Sequence, residues 1–258
     1  MKCFLALLFL LASTVYADTI THQGADFFVY RLDPKKEKLE LYLGEKKGKP
    51  NTFPQLQERL TKQGKKLKFA MNSGIFEGTF LPTGLHIAEG KTVTKLNLDD
   101  FKKEREGQFT PNFFLKPNGV FFLRKDGTAG VLESGKYATS GEKPVLATQS
   151  GPLLVENGTI HPVLEASSTS RRTRNGVGVA SDGTIILVCS DWSGRDTGES
   201  NLYHFAELFR DKLDCKNALY LDGDISYVYI EGETPPIRES NWFAGILAIT
   251  EPVEEPAP

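Results

Sequence analysis

VGVASDGTIILVCS, residues Val177 to Ser190, consists of two apolar, β-branched runs hinged on Asp182-Gly183. Val177 to Ala180 and Thr184 to Ser190 are each too short for a helix, and an Asp-Gly pair between such runs is the signature of a tight hairpin turn. The same pattern recurs on both sides of this stretch. Strands are expected at Asp26 to Leu32 and Leu39 to Leu43, paired about Asp33-Pro34, and then at Leu67 to Asn72 and Leu85 to Ala88. Further strands are expected at Asn112 to Leu115 and Val120 to Leu123, joined by Pro117-Asn118-Gly119, and at Val145 to Ser150, Leu153 to Val155 and Thr159-Ile160. Ala218 to Leu221, Tyr227 to Ile230 and Phe243 to Ile249 complete the set.

Helical signals are few. Thr52-Phe53-Pro54-Gln55 offers an N-cap, an early proline and a glutamine at capping-box spacing, followed by Leu56, Leu60 and a stop at Gly64. From Asn201 to Leu213, the residues Leu202, Phe205, Ala206, Phe209 and Leu213 recur at helical spacing and form one apolar stripe. Many short strands with few helices imply an α+β fold: a single domain of mixed, largely antiparallel β-sheet with a few packed helices.

The ends of the chain read differently. Lys2, the apolar run Phe4 to Leu11 and the small-residue approach to Ala17 predict a signal peptide over 1–17, with a domain over 18–250 and a Pro/Glu-rich disordered tail over 251–258. The expected location is therefore exported, periplasmic or secreted. The apolar run is too short for the ~20 residues a bilayer span needs, so the chain is not expected to be membrane-spanning. With 31 Lys+Arg against 33 Asp+Glu, and a net charge that falls from -2 to -3 once Lys2 is lost, no nucleic-acid partner is expected. An oxidising compartment would permit Cys189 and Cys215 to form a disulfide, the alternative being two buried thiols.

Three strand ends give way to Gly-containing turns that carry polar or charged groups: Asn72 to Phe76, Ser170 to Gly178 and Asp222 to Ser226. A rigid strand end fixes the backbone and leaves the side chain free to face a cleft. Asp222 could be a catalytic carboxylate or part of an ordinary Asp-Gly turn. The Arg171-Arg172-Thr173-Arg174 run could clamp an anion through guanidinium forks or be a solvated loop. Ser150-Gly151-Pro152 lacks the serine-hydrolase elbow, and His86, His161 and His204 show no metal-ligand spacing. Asp191, Asp196 and Glu199 do not match a calcium-binding loop, so no metal and no cofactor is expected.

Seven segments, taken in order, resemble the phosphodiester glycosidase family: AMNSGIF at Ala70 to Phe76, PTGL at Pro82 to Leu85, NFFLKPNGVF at Asn112 to Phe121, QSGPLLVENG at Gln149 to Gly158, RNGVGV at Arg174 to Val179, NLYHFAELF at Asn201 to Phe209 and NALYLDGDIS at Asn217 to Ser226. The resemblance implies hydrolysis of a sugar 1-phosphodiester to free sugar and phosphomonoester, with a sugar-phosphodiester small molecule or an envelope glycan as partner. It implies catalytic roles for Asp222 and Arg174, and substrate contacts from Asn72, Gly74, Ser150, Gly151, Arg172, Gly223, Asp224 and Ser226. Two departures are visible. Asn175 stands where the family commonly has threonine, and Asp224 replaces the second glycine of the family's Asp-Gly-Gly-x-Ser turn. The competing expectation is a non-catalytic module of the cell envelope that binds anionic glycans through the same arginines.

Overall fold

The computed structural model describes residues 17–45, 48–191, 198–234, 237 and 241–253. The expected signal peptide, apart from Ala17, lies outside them, as does the tail from residue 254. In chain order the first strands are β1 (Ala17–His22), β2 (Ala25–Leu32) and β3 (Leu39–Leu43). Helix α1 (Phe53–Thr61) leads into β4 (Lys65–Asn72), β5 (Phe76–Glu77), β6 (Leu81–Pro82), β7 (His86–Ala88) and β8 (Lys91–Thr94). A 3-10 turn (Asn112–Phe114) then precedes β9 (Gly119–Leu123), β10 (Ala129–Glu133) and helix α2 (Ser134–Thr139). Next come β11 (Leu146–Ser150), β12 (Leu153–Glu156), β13 (Thr159–Ile160), β14 (Asn175–Ala180) and β15 (Ile185–Ser190). Helix α3 (Leu202–Glu207), β16 (Cys215–Asp222), β17 (Val228–Ile230) and β18 (Gly245–Pro252) finish the chain.

The strands form a seven-stranded sheet in the order β1-β2-β15-β14-β16-β12-β13, a five-stranded sheet β10-β9-β11-β7-β8, a four-stranded sheet β17-β4-β18-β3 and the small pair β5-β6. Every pairing is antiparallel. The α+β reading therefore holds. The largest core cluster draws Tyr30, Phe69, Phe121, Leu187, Leu219 and Leu247 from all three larger sheets. On the other face of the seven-stranded sheet, Phe205 and Phe209 pack against Phe27, Val188 and Ala218. The Val177 to Ser190 hairpin forms in the expected register, with Val179 opposite Ile185.

Thr52 caps α1 in a full capping box with Gln55, as its sequence predicts. The expected helix to Leu213 starts at its Asn201 cap but changes to a π-helical turn over Leu208–Lys212. Other expectations are corrected. β2 and β3 do not pair with each other: β2 sits between β1 and β15, whereas β3 lies against β18. Asn112 to Leu115 is a 3-10 turn, not a strand, so Pro117-Asn118-Gly119 closes no hairpin. Strand β18 continues through Pro252, carrying paired backbone two residues past the expected end of the domain.

Cys189 and Cys215 are both free and buried. Cys189 pairs across from Asn175 at one end of β14, and Cys215 from Ala180 at the other. At roughly 3.3 Å per residue that separates them by about 17 Å along the strand, far beyond the ~7 Å limit for a disulfide. They also belong to cores on opposite faces of the sheet.

Candidate active site

β14 and β16 run side by side, and their pairing slips by one residue near the site. Asn175 lies opposite Asp222 and Gly176 opposite Tyr220, so Leu221 is the extra residue of a bulge. A bulge re-aims the side chains beside it. Here Asp222 swings towards β4, where Asn72 Nδ2 donates to its Oδ2 at 3.1 Å, while the Gly223 N–H donates to its Oδ1 at 2.8 Å.

Asn72 is itself held from behind. Its Oδ1 accepts from Asn175 Nδ2 at 2.9 Å and from the Tyr227 N–H at 3.1 Å, and Asn175 Oδ1 in turn accepts from Ser226 Oγ at 3.3 Å. With two donors on its oxygen, the Asn72 amide can only present its NH₂ to Asp222. Burial pushes the Asp222 carboxyl up to about 6, outweighing the two hydrogen bonds that favour its ionised form. A carboxylate poised near neutrality suits proton transfer.

Arg174 ends the loop before β14 and is buried. Its Nε donates to Ser200 O, Nη1 to the Tyr220 hydroxyl and Nη2 to Ser170 O, all at 3.1 Å. These three partners are neutral, and among the described residues no carboxylate forms an ion pair with Arg174. A guanidinium carries five N–H groups, so among the described residues two have no partner. A buried cation without a countercharge is costly, which makes this position a seat for an anion.

Arg174, Arg172, Tyr220, Asp222, Gly223 and Asp224 line one cavity of about 840 Å³, within the size range of small-molecule sites. The exposed Arg172 and Asp224 form an ion pair at 3.5 Å on its rim. Gly223 is required by closeness: a Cβ there would stand 2.7 Å from the Tyr220 hydroxyl. Phe76, Phe109 and Val163 add an apolar side to the cavity. Among the described residues, no group of three His, Cys, Asp or Glu side chains gathers as a metal site. Likewise, no helix there is long and apolar enough to cross a membrane.

A family model described as phosphodiester glycosidase matches residues 65–242, a span that contains Asn72, Arg174 and Asp222. The chain belongs to the phosphodiester glycosidase family. It is 34% identical over 238 residues to the uncharacterized protein YigE of Escherichia coli (strain K12), covering 91% of this chain and 87% of YigE. Among solved structures it resembles the zebrafish N-acetylglucosamine-1-phosphodiester alpha-N-acetylglucosaminidase catalytic domain auto-inhibited by its pro-peptide. That match has a TM-score of 0.62 at 18% identity, over 91% of this chain and 81% of that one. A hypothetical protein from Synechocystis matches with a TM-score of 0.55 at 14% identity, over 91% of this chain and 61% of that one. At these identities the structural matches concern the fold.

In this member of the phosphodiester glycosidase family the residues singled out from sequence divide into two layers. Asp222, Arg174, Arg172, Gly223 and Asp224 face the cavity. Asn72, Ser150, Gly151 and Ser226 do not line it. Asn72 and Ser226 belong to the chain of hydrogen bonds behind Asp222, and Ser150 Oγ donates to Leu221 O beneath the bulge at 2.8 Å. Gly151 packs against Asn118 and the Phe113 carbonyl, and Gly74, at φ 146°, lets the chain pass Thr148 and Ser150. Tyr220, Asn112 and the supporting role of Asn175 are not among the residues singled out from sequence. Tyr220 is masked by the apolar run around it, whereas a polar residue directly after Arg174, at the head of a Gly/Val strand, was a usable signal for Asn175.

Proposed function

We propose that this protein hydrolyses the bond between the anomeric carbon of a sugar and a phosphodiester, releasing free sugar and a phosphomonoester. The observation that carries the reading is the shared cavity: an anion seat at Arg174 and a carboxylate raised to about 6 at Asp222 open into the same space. Phosphate is a competent leaving group, so the demand on the site is charge management more than protonation. Arg174 holds the phosphoryl oxygens and stabilises the charge that grows on them. Asp222, ionised above about pH 6, takes the proton of the attacking water or steadies positive charge at the anomeric carbon.

A purely binding module has no use for a half-buried carboxylate in the same cavity as its anion seat, since ionised Asp222 would repel the ligand. That consideration favours catalysis over the glycan-binding alternative. The substrate is read as a sugar-phosphodiester small molecule or an envelope glycan. Export to the periplasm or medium belongs to the same proposal, supported by Lys2, the apolar run Phe4 to Leu11 and the small residues before Ala17.

Incubation with a panel of chromogenic sugar 1-phosphodiesters, N-acetylglucosamine among the sugars, tests the activity. Equimolar free sugar and phosphomonoester are expected. Saturable binding with no product from any member would return the protein to the class of binding modules.

A further inference from the structure

Tyr220 stands two residues before Asp222 on β16, buried, and its hydroxyl lies against Arg174, Asn112 and Gly223, all of which line the cavity with it. The phenol oxygen receives Arg174 Nη1–H at 3.1 Å and Asn112 Nδ2–H at 3.4 Å. Neither nitrogen can accept a hydrogen bond, so both contacts occupy the oxygen's acceptor capacity. The hydroxyl hydrogen is left over, and among the described residues Tyr220 donates to no acceptor. Gly223, beside the hydroxyl, has no side chain to cover it, and any Cβ at that position would collide with it at 2.7 Å.

We propose that Tyr220 is a catalytic hydrogen-bond donor to the departing phosphoryl group, acting beside the Arg174 guanidinium. This role rests on the phosphodiester glycosidase reading given above. When the bond from the anomeric carbon to the bridging oxygen breaks, its electron pair stays on that oxygen. The phosphodiester monoanion becomes a phosphomonoester dianion. A donor already aimed at those oxygens binds the dianion more strongly than the monoanion, which is the differential that lowers a barrier.

The hydroxyl proton is not transferred. Burial pushes the Tyr220 phenol up to about 12, although Arg174 and Asn112 work in the opposite direction. The second ionisation of a phosphomonoester lies near 6, so the proton stays on the phenol throughout. Being neutral, the phenol also sits against Arg174 without the repulsion a lysine would bring. Asn112 is then a positioning residue, with its amide keeping the phenol from turning away.

Tyr220→Phe tests the proposal, because it removes one oxygen and keeps the ring. Turnover of a sugar 1-phosphodiester should fall about ten- to a hundredfold, with KM changed less than about threefold, as expected for a hydrogen bond to a developing charge. Calorimetric titration with inorganic phosphate at pH 8, where the dianion prevails, should show affinity weakened about tenfold. Asn112→Ala should show a smaller loss in both measurements. If Tyr220→Phe does not fold, 3-fluorotyrosine incorporated at position 220 preserves the shape and makes the hydroxyl a stronger donor, so phosphate should bind more tightly. Tyr220→Phe with wild-type phosphate affinity, unchanged affinity on fluorination, or wild-type protein that takes up no phosphate would each overturn the role of Tyr220. Absence of hydrolysis by the wild type, with phosphate binding that still depends on the hydroxyl, would instead remove the enzymatic reading.

Discussion

Asn72 Nδ2 lies 3.1 Å from Asp222 Oδ2, tying the last residue of β4 to the last residue of β16 across 150 positions of sequence. The bond couples two different sheets at the point where the carboxylate is presented. Because it favours the ionised form, removing it should move the titration of Asp222 upward. In Asn72→Ala, the acidic limb of kcat/KM is expected at a higher pH than the wild-type limb near 6. A profile that does not move would mean that Asn72 leaves the carboxylate unaffected.

Asp222→Asn should lower turnover by about 10² or more and abolish that acidic limb, since an amide neither accepts a proton nor carries charge. A pH–rate profile of wild type and variant checks both features at once.

The raised Asp222 pKa also has a stability consequence, with a defined sign. The folded value, about 6, exceeds the ordinary 3.8, so the contribution is full below about pH 4 and is lost as pH rises through 6. At about 1.4 kcal/mol per unit, the loss is at most about 3 kcal/mol. Chemical denaturation of wild type and Asp222→Asn at pH 4 and pH 7 should show the variant gaining on the wild type by up to that amount. A constant difference would contradict the assignment.

Arg174→Lys keeps a positive charge but removes the fork that reaches Ser200, Tyr220 and Ser170 together. Turnover is expected to drop about 10² or more even in folded protein, because a single ammonium cannot reproduce that array. Wild-type activity in Arg174→Lys would show that charge alone suffices.

His86 shows the opposite pH behaviour. It is fully buried in β7, neither ring nitrogen has a hydrogen-bond partner among the described residues, and burial lowers its pKa to about 4. Its folded value lies below the ordinary 6.5, so its contribution is intact above pH 6.5 and is lost as pH falls through 4. The loss approaches about 3 kcal/mol. His86→Leu should therefore flatten the acid side of the denaturation profile while leaving hydrolysis near neutral pH unchanged.

The legible parts of this molecule were those governed by local chemistry. The Val177 to Ser190 hairpin, the Thr52 capping box and the apolar stripe that begins the helix after Asn201 each depend on residues a few positions apart. Arg174 and Asp222 stood out because charged groups at strand ends invite attention. Asp33-Pro34 looks like a hairpin turn between β2 and β3, which do not pair. Yet β2 is buried on both faces over Phe27 to Tyr30, the mark of a strand inside a sheet and not of a peripheral hairpin. Tyr220 was illegible for a related reason: an aromatic residue among Ala218, Leu219 and Leu221 looks like core until Arg174 and Asn112 are seen meeting its oxygen.

The two separated cysteines bear on how the chain reaches its native state. With Cys189 and Cys215 about 17 Å apart along the sheet, their thiols kept protonated by burial, no covalent crosslink is needed to hold the sheets together. Dithiothreitol should leave the melting temperature unchanged, and unfolded protein should regain its structure without an oxidant or a disulfide isomerase.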